Sequence, residues 1–96
     1  MNIIDNLKTH GFYIESVKEE QWQKWAPRIQ EITGLTWNGG DDLDATCGLS
    51  FPTDIGYLPN EDTGVTCDWG LNYNVPFHYE TLADFIYDIW ESDNDA

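Results

Sequence analysis

A chain of 96 residues has room for one domain, residues 1–96, and not for two. Its hydrophobic content of 41%, with five Trp, five Tyr and four Phe, predicts a packed core and argues against a disordered acidic segment. A formal net charge of −14 argues against functions that need a basic surface, namely direct nucleic-acid binding and attachment to anionic membranes.

The charge is unevenly distributed along the chain. Residues 1–28 contain all four basic residues and only four of the acids, so residues 29–96 carry the whole net charge of −14. Such a surface favours a basic protein partner. Solubility alone, or a halophilic origin, is the alternative explanation of the acidity, but halophilic proteins usually spread their acids evenly.

The chain is expected to be cytoplasmic. Its start, MNIIDNLKTH, does not have the pattern of a signal peptide, and no apolar run approaches the roughly 18 residues of a membrane span. Cys47 and Cys67 are too few for a disulfide framework and are expected to be reduced, half-buried residues.

The N-terminal third predicts a short helix, a strand and a longer helix. Residues 2–8 place apolar side chains on one helical face, with Gly11 positioned to end that helix after His10. Residues 12–15 are β-prone. Ser16 and Glu19 then match a capping box, which predicts that the second helix begins at Ser16.

The second helix has an apolar stripe and an internal proline. Pro27 removes a backbone donor and is expected to kink or split the helix near Trp25, and Gly34 is expected to cap its end. The stripe, predicted to be core, consists of Trp22, Trp25, Ile29 and Ile32.

The middle of the chain predicts strands and turns. Residues 35–37 are β-prone, and Asn-Gly-Gly at 38–40 is a turn signal. Residues 49–58 and 65–73 resemble two strands joined by the turn-forming loop 59–64. In the second strand the apolar residues alternate, with one face formed by Val65, Cys67, Trp69 and Leu71.

The last twenty residues predict an amphipathic helix that carries a ridge of acids. If His78 caps this helix, Phe77 and Leu82 form a hydrophobic staple at its start. At its end, the acidic tail is expected to fray from about residue 91. The apolar stripe consists of Leu82, Phe85, Ile86 and Ile89; the acids, inside an arc of roughly 80°, are Glu80, Asp84, Asp88 and Glu91.

Taken together, these elements predict an α+β fold. A small antiparallel sheet of three or four strands is expected to pack against two or three helices. The chain contains no internal repeat and no linker.

No sequence motif gives convincing support for a metal-binding or catalytic site. A calcium loop beginning at Asp42 has Cys47 where glycine is required and Thr53 where glutamate is required. The two cysteines and two histidines lack zinc-ligand spacing, and Asp44 and Asp68 would raise the pKa of the nearby thiols instead of lowering it. The chain is therefore not expected to be an enzyme, or to hold a cofactor or a metal ion.

The charge density is comparable to that of DNA. Duplex DNA carries one charge per about 1.7 Å, so fourteen charges equal those on about 24 Å of duplex. Residues 19–40, a helix followed by LTWNGG, resemble a pattern common in small phage α/β proteins. In size, charge and aromatic content the chain is similar to the small acidic anti-CRISPR and anti-restriction proteins of phages and mobile elements, several of which mimic DNA.

The resemblance implies a non-enzymatic inhibitor of a CRISPR effector or restriction nuclease, acting in the host cytoplasm as a monomer or small homo-oligomer, without binding nucleic acid or membrane itself. An immunity protein against a basic nuclease toxin, or a phage structural or regulatory protein whose acidity only gives solubility, are the alternatives. The expected contact residues are the acids Asp41, Asp42, Asp44, Glu61, Asp62, Asp68, Glu80, Asp84, Asp88 and Glu91, with Tyr87 or Trp90 as an aromatic hot spot.

Overall fold

The computed structural model describes residues 3–46, 48–60, 64–68 and 75–94, with only the backbone for Asp68 and for residues 92–94. The described part contains three helices and four strands, which confirms the predicted α+β class. In chain order they are α1 (Ile3–His10), β1 (Phe12–Val17), α2 (Glu19–Thr33), β2 (Thr53–Tyr57), β3 (Thr66–Asp68), β4 (His78–Tyr79) and α3 (Leu82–Asn94).

The four strands form one mixed sheet in the order β3-β2-β1-β4. The pairs β1–β2 and β2–β3 are antiparallel, as predicted. The short strand β4 instead pairs parallel to β1, with Tyr13 opposite His78 and Ile14 opposite Tyr79. The sheet therefore has one parallel pair at its edge, which the sequence prediction did not include.

The hydrophobic core lies between the sheet and the helices. From β1, the buried Phe12 ring lies 4.8 Å, centroid to centroid, from the Phe85 ring of α3. Helix α3 contacts α1, α2, β1 and β4, so it is the central helix of the packing. Within the described ranges, none of the helices has the length and apolar character needed to cross a membrane.

The predicted end of α1 is confirmed. Gly11 has a φ of 89°, and its N–H donates a 2.9 Å hydrogen bond to the Leu7 carbonyl oxygen. This left-handed residue closes the helix and starts β1 at Phe12.

The predicted capping box at Ser16 is wrong. Ser16 lies inside β1 with a φ of 51°, at an irregularity of the strand pairing between Ile14 and Val17. Its N–H donates a 3.0 Å hydrogen bond to Oδ1 of Asp54 in β2. Helix α2 begins later, at Glu19, after Lys18 as its N-cap. A non-local hydrogen bond therefore replaces the local cap.

Helix α2 runs without interruption through Pro27, so of the predicted kink or split the split does not occur. A proline inside a helix lowers the stability of that helix by about 3 kcal/mol. Burial of Trp22 and Ala26 before Pro27, and of Ile29 after it, offsets this cost. The rest of the predicted stripe, Trp25 and Ile32, is half-buried against that core.

The predicted C-cap is also confirmed, because Gly34 has a φ of 74° and its N–H donates to the Gln30 carbonyl oxygen at 2.7 Å.

The strands of the middle segment are shorter than predicted. Strand β2 covers five of the ten residues predicted for 49–58, and β3 ends at Asp68, with 69–73 outside the described residues. From the β-prone residues 35–37, Trp37 forms an isolated bridge with Val65, and a turn follows at Asn38 and Gly39.

The predicted start of the last helix is wrong. His78 belongs to β4, and α3 begins at Leu82, where the Oγ1 of Thr81 accepts the Asp84 N–H at 3.2 Å. Phe77 is therefore too far before the helix for the predicted staple, although Leu82 is buried in the core. Helix α3 continues to Asn94, whereas fraying was expected from about residue 91.

Candidate partner-binding surface

The exposure of the predicted contact residues divides them into groups. Glu61 and Asp62 lie outside the described residues, and only the backbone of Asp68 is described. Asp88 is half-buried. The remaining predicted acids are exposed, namely Asp41, Asp42, Asp44, Glu80, Asp84 and Glu91.

The segment 41–46, called the acidic loop below, is held against helix α2 by the side chain of Gln30. The Gln30 carboxamide nitrogen donates to Asp42 Oδ1 at 2.8 Å, and its oxygen accepts the Leu43 N–H at 2.7 Å. The side chain of Leu43 is completely buried in the core. One carboxamide therefore orients an exposed carboxylate and fixes the backbone beside it.

Three more side chains hold the same loop. Trp22 Nε1 donates to the Leu43 carbonyl oxygen at 2.7 Å, and Gln23 Nε2 donates to Thr46 Oγ1 at 2.7 Å. Trp37 Nε1 donates to the Ala45 carbonyl oxygen at 3.1 Å. Because several of these groups are buried or partly buried, the backbone that carries the exposed carboxylates is well fixed.

Glu31 of helix α2 lies beside the acidic loop, a neighbour that the sequence analysis missed, and its carboxylate is paired with the Arg28 guanidinium at 2.7 Å. A cavity of about 410 Å³ is lined by Pro27, Gln30, Glu31, Gly34, Asp42 and Asp44. The C-terminal end of α2, marked by Gly34, carries the negative end of the helix dipole and adds to the negative potential there. Among the described residues, no group of three or more His, Cys, Asp or Glu is placed to hold a metal ion.

The predicted ridge of four acids on the last helix is not uniform. Glu80 precedes the first residue of α3, so it does not belong to the helical arc. Asp88 accepts a 2.8 Å hydrogen bond from the Tyr79 hydroxyl. Burial of that hydroxyl, together with its hydrogen bond to Asp88, raises the pKa of Tyr79 above its ordinary value. Among the acids of α3 whose side chains are described, Asp84 and Glu91 are the exposed ones.

Tyr87 and Trp90 are the large hydrophobic side chains that the described surface leaves exposed, by 65% and 43%. The Trp90 ring contacts α2: its centroid lies 6.3 Å from that of Trp25, edge to face, and 5.3 Å from the Arg28 guanidinium carbon. Lys24 Nζ lies 5.5 Å from the Trp25 ring centroid. We call Lys24, Trp25, Arg28 and Trp90 the aromatic cluster.

The aromatic cluster contains two of the four basic residues of the chain. The Arg28 guanidinium also donates to Glu31 Oε1 at 2.7 Å, so it contacts an aromatic ring and a carboxylate together. Sequence spacing could not predict this cluster, because Trp25 and Trp90 are 65 positions apart in the chain.

Comparison with known proteins gives no family assignment: no family model, no curated protein and no solved structure matches this chain. Function is therefore inferred from the chain's own side chains. The surface that they form has two parts, the acidic loop fixed by α2 and the outward side of α3 with its exposed aromatic residues.

Proposed function

We propose that this protein is a non-enzymatic inhibitor that binds a nucleic-acid-binding defence protein, either a CRISPR effector or a restriction nuclease. Its carboxylates occupy the basic groove in which that protein holds nucleic acid. The observation that carries the proposal is the acidic loop, whose exposed acids Asp41, Asp42 and Asp44 lie on a backbone fixed by side chains of α2 and by Trp37.

A fixed array of carboxylates supports groove binding for an entropic reason. Ordering a mobile loop on binding costs about 0.5–1.5 kcal/mol for each side chain that is immobilised. Because Gln30 already orients Asp42 and fixes the Leu43 backbone, less of that cost remains at the moment of association. Affinity then depends on charge complementarity with lysines and arginines that normally contact phosphates.

The dimensions of the molecule also suit a nucleic-acid groove. Its principal extents are 35 × 26 × 25 Å, and its net charge of −14 equals that of about 24 Å of duplex. The protein therefore presents a charge density close to that of the ligand it would replace. The chain has no lysine or arginine after Arg28, and although Arg28 lies against Trp90 of α3, no salt bridge joins it to those acids of the loop or of α3 whose side chains are described.

The proposal is tested by competition for a labelled nucleic acid. A fluorescent DNA or guide RNA is bound to candidate effectors and nucleases, the protein is titrated in, and loss of anisotropy reports displacement. The loop variant Asp41→Asn/Asp44→Asn leaves the Asp42–Gln30 hydrogen bond in place. It should require at least about tenfold more protein for half displacement, since charge-assisted contacts are worth about 1.5–3 kcal/mol each.

The control variant is Glu19→Gln/Glu20→Gln, which removes the same two charges from exposed positions in the first turn of α2. Its displacement curve should stay close to that of the unmodified protein. Equal weakening by both variants would mean that only net charge matters. Tight binding to a nuclease whose DNA stays bound would contradict occupation of the groove.

A further inference from the structure

Tyr87 lies between two exposed carboxylates on the outward side of α3. Its ring is 65% exposed, and no hydrogen bond to its hydroxyl is found among the described residues. On a helix the neighbours of a side chain are three and four positions away, so Asp84 and Glu91 flank Tyr87 on the two adjacent turns. Trp90, three positions on, lies beside it. We call Asp84, Tyr87, Trp90 and Glu91 the α3 face.

The molecule already contains one guanidinium held by an aromatic ring and a carboxylate. Arg28 lies 5.3 Å from the Trp90 centroid and bonds to Glu31 at 2.7 Å. A planar guanidinium suits such a place because it stacks on a ring while its N–H groups point outward to carboxylate oxygens. The α3 face offers the same two groups, a ring and flanking carboxylates, with no cation of the described chain placed over the Tyr87 ring.

We propose that the α3 face binds an arginine side chain of the partner. The guanidinium lies on the Tyr87 ring and donates hydrogen bonds to Asp84 or Glu91. The inference rests on the proposed function and deepens it, because it names the residue type that the partner contributes. Nucleic-acid grooves are rich in arginine, since its fork of donors matches phosphate oxygens.

A second copy of this chain is not the occupant. The chain has a single arginine, Arg28, which already contacts Trp90 and Glu31 within its own molecule. Two copies, each with a net charge of −14, would also repel one another. Charge complementarity therefore selects a basic protein segment that carries arginine.

The test compares two peptides of equal charge, fluorescein-labelled hexa-arginine and hexa-lysine, by fluorescence anisotropy at low salt. The unmodified protein should bind the arginine peptide more tightly, and the ratio of the two dissociation constants measures the preference. Tyr87→Leu should reduce that ratio, by at most about two- to fivefold, which is the full value of an exposed cation–π contact. Tyr87→Phe, which keeps the ring and also lacks the hydroxyl, should leave the ratio unchanged.

Two variants that each remove two negative charges test the role of the carboxylates that flank Tyr87. Asp84→Asn/Glu91→Gln should weaken binding of hexa-arginine more than Glu19→Gln/Glu20→Gln does, although both variants remove two charges from exposed positions. Thermal unfolding of every variant checks that folding is intact; because all the changed side chains are exposed, midpoints should stay close together.

The outcomes separate this inference from the proposed function. If the arginine preference survives in Tyr87→Leu, or if neither peptide binds, the assignment of the α3 face is overturned, while displacement of DNA by the unmodified protein would still support groove blocking. If the preference follows the Tyr87 ring but no nuclease loses its DNA, the α3 face binds arginine and groove blocking is overturned.

Discussion

Asp54 is a buried carboxylate at the centre of the sheet. Its side chain and backbone are only 8% exposed, and its two oxygens accept the Tyr13 hydroxyl at 2.6 Å and the Ser16 N–H at 3.0 Å. Ser16 has a φ of 51°, a conformation that few residues other than glycine adopt without a compensating contact. Asp54 supplies that contact and so fixes the irregular end of β1.

Asp54→Ala should lower the free energy of unfolding by about 1–3 kcal/mol, because it leaves the Tyr13 hydroxyl and the Ser16 N–H without this acceptor. The measurement is urea unfolding, with a double-mutant cycle that includes Tyr13→Phe. The loss in the double variant should be smaller than the sum of the two single losses. Asp44→Ala, at an exposed position, is the control; a loss from Asp54→Ala no larger than the control's would contradict the structural role.

Two glycines with positive φ make a matched pair. At Gly11, φ is 89° and an added Cβ would meet the Tyr57 carbonyl oxygen well inside contact distance, whereas at Gly34, φ is 74° and no atom lies near. Gly34→Ala should cost about 1–2 kcal/mol for the left-handed conformation alone.

Gly11→Ala should cost about 1–3 kcal/mol more than Gly34→Ala, because the strand β2 must move as well. Thermal or urea unfolding of the two variants measures the loss of stability in each. Equal losses would contradict the predicted difference, because they would mean that the Tyr57 backbone moves away from the added methyl group at no cost.

At the scale of elements, helix α2 organises the acidic loop. Gln30→Ala removes the acceptor of the Leu43 N–H and the donor to Asp42. We expect it to cost about 1–2 kcal/mol and to speed hydrogen exchange at the Leu43 amide, measured by NMR. Gln21→Ala, an exposed change on the same helix, is the control and should leave that amide protected.

Strand β4 and helix α3 are joined by the Tyr79–Asp88 hydrogen bond, and this contact should make stability depend on alkaline pH. The folded pKa of Tyr79 is raised above its ordinary value of about 10, so above that pH the unfolded chain loses a proton that the folded chain retains. The unfolded state then binds fewer protons, and stability falls as the pH rises.

Tyr79→Phe removes the part of the fall in stability at alkaline pH that comes from Tyr79. It also removes the hydrogen bond to Asp88, and so lowers stability at neutral pH. The stability gap between the unmodified protein and Tyr79→Phe should therefore narrow between about pH 8 and pH 11 in urea titrations. A gap that stays constant over that range would show that the Tyr79 pKa is not raised.

For the whole molecule, a net charge of −14 should make stability depend on salt. The acids repel one another, and raising NaCl from about 10 mM to about 1 M shortens the Debye length from about 30 Å to 3 Å. We expect the thermal midpoint to rise over this range, and to rise less for Asp41→Lys/Asp44→Lys, whose net charge is smaller. The same salt should weaken binding to a basic partner, so the two responses have opposite signs.

The fold was predictable where local patterns decide it. The ends of α1 and α2 follow from glycines whose left-handed conformation closes a helix, at Gly11 and Gly34. The exposure of Asp41, Asp42 and Asp44 follows from their place after a turn, where polar side chains face water. These predictions concern residues a few positions apart, and their outcome depends little on the rest of the chain.

The candidate site was only partly predictable. The exposed aromatic residues Tyr87 and Trp90 were expected on α3, but the contact of Trp90 with α2 was not. Asp88 was expected in an acidic ridge and is instead half-buried against Tyr79. Helical periodicity gives the direction in which a side chain points from the helix axis, but it does not identify the element that packs against that side chain.

By itself, the sequence determined the α+β class, the acidic bias after Arg28 and the apolar stripes that bury α2 and α3. Only the tertiary structure decided the irregular strand pairing at Ser16, the parallel pairing of β4 and the Gln30 contacts that hold the acidic loop. The reason is sequence separation. Ser16 and Asp54 are 38 positions apart, and Tyr13 and His78, partners across β1 and β4, are still farther apart. Hydrogen bonds over such separations form only when the whole core brings both partners together, and there they outweigh local preferences.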